Sequence, residues 1–302
     1  MVHSVMDIFA LINEIGKNEV GILCRTSDDL SAYIGDTALF SANLNRRKPV
    51  RSVAVCIDLD NLVFYLCNKR HFLDDIDLII THHPIGKAQY AYPEIFNLFK
   101  YILDSKINIC NHIELSNVGL KRLKNFCNST NPYTHEYIIN AGIDVICVHS
   151  IADICANNHL NRIFSDFSGL SLLQLTKTLS EIPAISAYRC DGLFPYIVLG
   201  NEHDICKDIF FDLLNCTVEV PEYLEILKRS GIDTIVTMHV TQEYLDSATK
   251  NRLNLINLGH IPADNLGMNI VLDKIAQSSE IVIKAFNGFI RTCENCNGIN
   301  NL

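Results

Sequence analysis

The chain has 302 residues, 48% of them hydrophobic, with a mean hydropathy of +0.16, enough to bury one large α/β unit or two medium domains. Its net charge of -9 and pI near 5.6 exclude bulk nucleic-acid binding, which needs a basic face to displace counterions, although a small anionic substrate needs only a local pocket. The twelve cysteines are scattered along a long chain and read as reduced thiols of a cytoplasmic protein. The first element, SVMDIFALINEIG, sets Val5, Ile8, Phe9, Ile12 and Ile15 on one helical stripe, with Ser4 and Asp7 spaced as a capping-box variant and Gly16 as a stop. Asp7 and Glu14 within it exclude a signal-peptide core, and no apolar run approaches the ~18 residues of a membrane span. Short Val- and Ile-rich runs come next at 53–57, 78–81, 145–148, 196–199, 234–237 and 253–258, alternating with longer helix-like stretches. That alternation predicts an α/β fold with a largely parallel sheet. The clearest late helix has Met268, Val271, Leu272 and Ile275 on one stripe and is expected to begin with Pro262 at its first position.

A break at SDFSGLS, 165–171, predicts two lobes, 1–168 and 169–302, which are free to interleave. Each is expected to be a mixed, largely parallel sheet flanked by helices, with a site in the cleft between them. A short repeat supports related lobes: 77–83 reads DLIITHH and 233–239 reads DTIVTMH, so His239 falls where His83 stands in the first lobe.

The residues just past the strand ends carry the chemistry. Asp58 comes after the first strand, His82 and His83 after the second, His149 and Asp153 after the third, His239 after the run at 234–237, and His260 and Asp264 after the last. In open α/β sheets the carboxyl ends of strands form the ligand-binding crevice, so these side chains converge on one edge. Adjacent residues at a strand end project in opposite directions, and His82 and His83 are therefore expected to serve two ions rather than chelate one. A pair of ions ~3.5–4 Å apart needs a bridging carboxylate, which Asp153 or Asp264 can supply, with His260 as a further imidazole. His149 and Asp153 are four apart, as are His260 and Asp264, and within a helical turn each pair shares a face.

ITHHP at 80–84, HxxxD at 149–153 and GHxxxDxxG at 259–267 resemble, in order and spacing, the Nif-three-like family, also called GTP cyclohydrolase I type 2-like. The likeness extends more loosely over 33–291. It implies an α/β protein with a dinuclear metal site, assembled as a toroidal homohexamer, with activity on GTP assigned to some members. Carried over by position, His82, His83, Asp153, His260 and Asp264 are the ligands of two divalent ions drawn from Zn, Fe, Mn, Co or Ni, and His149 is a lining residue. Many members have Glu where Asp264 stands, and the wording here is closer to a branch with Asp. The shorter side chain reaches ~1.5 Å less far, so it is expected to bridge less symmetrically or to hold one ion.

The function this implies is a metal-dependent hydrolase, in which activated water attacks a purine or related electrophilic carbon and His149 or His239 acts as acid or base. The alternative is a non-enzymatic metal-binding chaperone or scaffold using the same ligands. Other signals fail on inspection. Gly86-Lys87 lacks the first P-loop glycine, His135-Glu136 leads at 139 to Ile139 rather than a second histidine, and no GxSxG elbow is present. The CENC at 293–296 lacks the second pair that a structural zinc needs, and Arg46, Arg47 and Lys48 read as a solvated loop.

Overall fold

The computed structural model describes residues 3–24, 35–41, 49–91, 95, 98, 121, 134–165, 169–214 and 223–292. The expected cap is formed at its start: Oδ2 of Asp7 accepts from the Ser4 amide at 2.8 Å and from the Ser4 hydroxyl at 2.7 Å. Helix α1 (Val5–Cys24) buries Val5, Ile8, Ile12 and Ile15 as the stripe predicts. Gly16 does not stop it. The buried stripe continues through Val20, and that packing outweighs the ~1 kcal/mol that a mid-helix glycine costs.

The chain then runs through β1 (Ala38–Phe40), β2 (Ser52–Cys56), α2 (Asn61–Lys69), β3 (Leu78–Thr81), α3 (Thr134–Asn140), β4 (Asp144–Cys147) and α4 (His149–Ile163). After α5 (Leu172–Glu181) and α6 (Pro183–Ser186) come β5 (Tyr196–Leu199), β6 (Ile209–Asp212), α7 (Leu224–Arg229), β7 (Thr234–Thr237), α8 (Gln242–Lys250), β8 (Asn254–Asn257), α9 (His260–Ala276) and β9 (Val282–Ala285). All six predicted runs are strands, to within two residues at either end. Strands β1, β6 and β9 were not predicted: β1 has three residues, and the others are four-residue edge strands.

Two sheets result, ordered β1-β4-β3-β2-β9 and β5-β8-β7-β6, parallel except for the edge strands β1 and β5. The fold is α/β, with two mixed, mostly parallel sheets flanked by helices. The central strands are buried on both faces, as parallel strands with helical cover must be. In β2, Val53 and Val55 join a core that continues through Ile8, Ile151 and Met268 of α1, α4 and α9 to Ile235 and Leu255 of the second sheet. The alternate residues Ala54 and Cys56 face a separate cluster on the outer side. Strand β9 pairs with β2 in register Ser52↔Val282, so the chain returns to the first sheet and crosses the 168/169 division. Residues 166–168 of the expected boundary lie outside the described residues, as do Arg46, Arg47, Lys48 and the CENC stretch.

The DLIITHH and DTIVTMH stretches occupy matching places, with physical reasons for their shared letters. Asp77 accepts from the Arg51 and Ser52 amides at 2.9 and 3.2 Å, and Asp233 accepts from the Lys207 amide at 3.1 Å. Each carboxylate fastens the start of its strand to the chain entering the parallel neighbour. At the far end, the Thr81 hydroxyl donates to the Ile57 carbonyl at 3.1 Å and the Thr237 hydroxyl to the His239 carbonyl at 3.2 Å, steadying the turn out of the sheet.

Helix α9 begins at His260, two residues earlier than expected, so Pro262 is its third residue. A proline is tolerated there because the first four amides have no intrahelical acceptor. Gly259 before it has φ of 90°, a conformation that favours glycine. One turn after Asp264, Gly267 lies against α4: a Cβ there would sit 2.3 Å from the Ala152 carbonyl oxygen. The two helices therefore cross with their backbones touching, beside Asp153 on one and Asp264 on the other.

Candidate metal centre

The register Cys56↔Thr81↔Cys147 aligns the ends of β2, β3 and β4, so Asp58, His82, His83 and His149 leave the first sheet in one row. The second sheet does the same for His239 and His260, with Thr237 opposite Asn257. The expected divergence of His82 and His83 is not observed. Both amides donate to β2 and the residue after it, His82 to the Cys56 carbonyl and His83 to the Ile57 carbonyl, each at 3.0 Å. Consecutive amides bound on the same side mean the pleat has ended. Both rings turn into one cluster, with centroids 4.9 Å apart.

Oδ2 of Asp264 is the hub. It lies 3.7 Å from His82 Nδ1, 3.6 Å from His83 Nε2 and 3.4 Å from His260 Nε2. His83 Nε2 and His260 Nε2 are 3.3 Å apart. Donors ~2.1 Å from a tetrahedral ion are ~3.4 Å from one another, and the triangle of His83, His260 and Asp264 has sides of that size. A second group joins His82, Asp153 and Asp264, whose donor atoms lie within 4.8 Å of one another; His82 Nε2 is 3.1 Å from Asp153 Oδ1.

The residues fit divalent cations. Asp264 is fully buried and neither carboxylate oxygen has a hydrogen-bond partner among the described residues, nor has Nδ1 of the equally buried His82. A buried carboxylate without donors is unfavourable unless a proton or a cation accompanies it. Burial pushes Asp264 well above the usual carboxylate range, with Asp153 and Asp58 adding repulsion, and burial also raises Asp153. The imidazoles go the other way. Burial lowers His82, takes His260 down to about 3 with help from His239, and takes His239 down to about 4. At neutral pH these rings therefore present unprotonated nitrogen, the form that binds metal.

Two further carboxylates set the orientation of the rings. Asp58 Oδ1 is 2.7 Å from His83 Nδ1, which turns Nε2 into the cluster, and that hydrogen bond holds Asp58 below the usual carboxylate range. Asp36 Oδ2 is 2.8 Å from His149 Nδ1 and also accepts from the Ser150 amide and hydroxyl at the start of α4. Carboxylates that hold the far nitrogen of an imidazole are typical partners of metal-binding histidines. Asp58 was visible in sequence only as a polar residue after a strand, and Asp36 not at all. Its one local signal is an aspartate before a three-residue strand.

The structure places His239 against the cluster, its ring centroid 4.3 Å from that of His260, and places the His149 ring 5.0 Å from that of His82. His149 and Asp153 are 3.8 Å apart across one turn of α4. A cavity of ≈440 Å³ opens beside His83 and Asp58 and is walled by Asp60, Pro84, Ile85 and Asn287 among others. Among the described residues no helix is long and apolar enough to cross a membrane, and Cys56, Cys67, Cys147, Cys155, Cys190 and Cys206 are free thiols.

No family model and no curated protein matches the sequence. Solved structures do match, a NIF3 superfamily protein among them. The NIF3 superfamily protein from Sphaerobacter thermophilus has a TM-score of 0.73 at 14% identity, covering 96% of this chain and 100% of its own. Reduced HcgD from Methanocaldococcus jannaschii gives 0.56 at 13% identity, covering 94% of this chain and 98% of its own. The protein ybgI, described as of unknown function, gives 0.53 at 12% identity over the same shares. At these identities the likeness is one of fold.

Proposed function

We propose that this chain, which has the fold of NIF3 superfamily proteins, is a dinuclear metal-binding protein acting as a metal-dependent hydrolase of the GTP cyclohydrolase I type 2 kind. Its ligands are His82, His83, Asp153, His260 and Asp264, and its working form is a cytoplasmic homohexamer. The observation that carries the reading is the buried Asp264 oxygen at 3.4–3.7 Å from three imidazoles, the position a carboxylate shared by two cations must hold. Nitrogen and oxygen donors together suit Zn, Fe, Mn, Co or Ni. When bound, such ions act as Lewis acids and bring the pKa of water towards ~7.

The chain's own residues do the rest. Asp58 fixes the ring of His83, and His239, neutral beside His260, accepts a hydrogen bond that orders the attacking water. The cavity beside His83 is of the size that takes a small molecule such as a purine, which favours an enzyme over a bare metal carrier. Elemental analysis of tag-free protein and an assay of the metal-loaded chain against a nucleotide panel, with Asp264→Ala as control, test the reading. Two equivalents of metal and a hydrolysis product lost in the variant are expected. Metal without turnover of any nucleotide leaves the chaperone or scaffold reading.

A further inference from the structure

Exposure divides the cluster into two halves. The side chains of His82, Asp153, Asp264 and His149 are 0, 6, 0 and 5% exposed, whereas those of His83 and His260 are 22 and 32% exposed. The cavity touches only the second half, at His83 and its partner Asp58. On the outer side the donors form a triangle with sides of 3.3, 3.6 and 3.4 Å, the spacing of three corners of a tetrahedral site.

On the inner side His149 stands as a further donor. Its Nδ1 is held at 2.8 Å by the buried Asp36, through an oxygen that the Ser150 amide and hydroxyl pin in turn, so the ring is tied to a fixed partner. Its Nε2 is aimed at Asp153 Oδ2 from 3.8 Å. That separation is long for a hydrogen bond, and it lies within the ~3.0–4.2 Å spanned by two donors on one ion. The possible ligand atoms of His149, His82 and His83 also lie within 4.8 Å of one another.

We infer that His149 is the fourth protein donor of the inner ion and that the two ions are unequal. The inner one is closed by His82, His149, Asp153 and the shared Asp264, and the outer one, on His83, His260 and Asp264, keeps an open position towards the cavity. This rests on the dinuclear reading above and divides its labour: the inner ion is structural and slow to exchange, and the outer ion is exchangeable and meets the substrate. Asp36 is then a positioning residue for the inner ion as Asp58 is for the outer.

The test is metal release from the zinc-loaded full-length chain into an excess of a chromogenic chelator, monitored by stopped flow and overnight absorbance. Wild type should lose two equivalents in two phases, one fast and one slow. His260→Ala should lack the fast phase and keep the slow one. His149→Ala should speed the slow phase or abolish it, and Asp36→Asn, a smaller perturbation, should speed it by roughly tenfold or more. Circular dichroism of each apo-protein shows whether it is folded, and the wild-type trace by itself tests whether the two ions are unequal. Two equivalents released in a single phase would overturn the inference, as would a slow phase unchanged in both His149→Ala and Asp36→Asn. Wild type that binds no metal, by contrast, removes the dinuclear reading itself.

Discussion

Asp264 is a fully buried carboxyl group that accepts no hydrogen bond from any described residue. Asp264→Asn should therefore leave at most one tightly held ion per chain, because a neutral amide is a poor bridge between cations. It should also raise the stability of the metal-free chain, by on the order of 1 kcal/mol, because burial disfavours ionising this carboxyl and an amide has no proton to take up. Elemental analysis and thermal melts of chelated protein read the two effects separately, and two ions retained in the variant would count against the shared carboxylate. The thiols offer a second check at this scale. Burial pushes Cys147 up to about 12 and raises Cys56 and Cys155 further, so these should resist alkylation in the native chain while the exposed Cys190 reacts. Peptide mapping after brief iodoacetamide treatment would show it, and native labelling of Cys56 would mean the first sheet is not packed as described. Chemistry at this scale was legible in sequence where it was dense. Two adjacent histidines after a buried strand have few other reasons to exist. Asp36 was not legible, because its partner His149 is 113 positions away and a single aspartate has many ordinary uses.

At the scale of elements, the centre depends on one helix crossing. Asp153 near the start of α4 and Asp264 near the start of α9 come together where Gly267 lets the two backbones touch at Ala152, next in the chain to Asp153. Gly267→Ala must push the helices apart or shift Ala152, at a cost of ~1–3 kcal/mol, and the displacement falls on Asp153 and Asp264 together. A lower melting temperature with faster loss of metal is expected, read by calorimetry and chelator challenge on the same sample. A destabilised variant that held its metal as tightly as wild type would separate the crossing from the site. The glycine stood in the GHxxxDxxG pattern, but its reason is a contact between helices more than a hundred residues apart in sequence, which periodicity cannot reveal. The strands β3 and β7 were legible because each is a full apolar run with a clamp at one end and a turn at the other. Edge strands such as β9 were not, since their pairing with β2 is decided by the sheet they join rather than by their own letters.

For the whole molecule, the two sheets share one core. Ile8 and Ile12 of α1, Ile151 and Ile154 of α4, and Met268 and Leu272 of α9 are buried in the same cluster as Val53 of the first sheet and Leu255 of the second. Lys274 of α9 pairs with the buried Glu19 of α1, which also accepts from Asn158 of α4 at 2.7 Å, so all three helices are joined by polar contacts as well. A cut at the 168/169 division would strip β9 from β2, take α9 from α1 and α4, and leave the buried Glu19 without its cation. Each half would then expose apolar surface that no helix or strand of its own can cover, and a folded lobe has only ~5–15 kcal/mol with which to absorb such losses. Neither 1–168 nor 169–302 alone should unfold cooperatively in urea or retain metal, whereas the intact chain should unfold in a single transition by far-UV circular dichroism. Mixing or co-expressing the halves should restore both the transition and metal binding, because every ligand is then present and the helices can repack. A fragment 1–168 that showed native helix content and a sigmoidal urea transition by itself would mean that the lobes are independent, and that the metal centre is a contact between two finished domains rather than part of the core that makes them one.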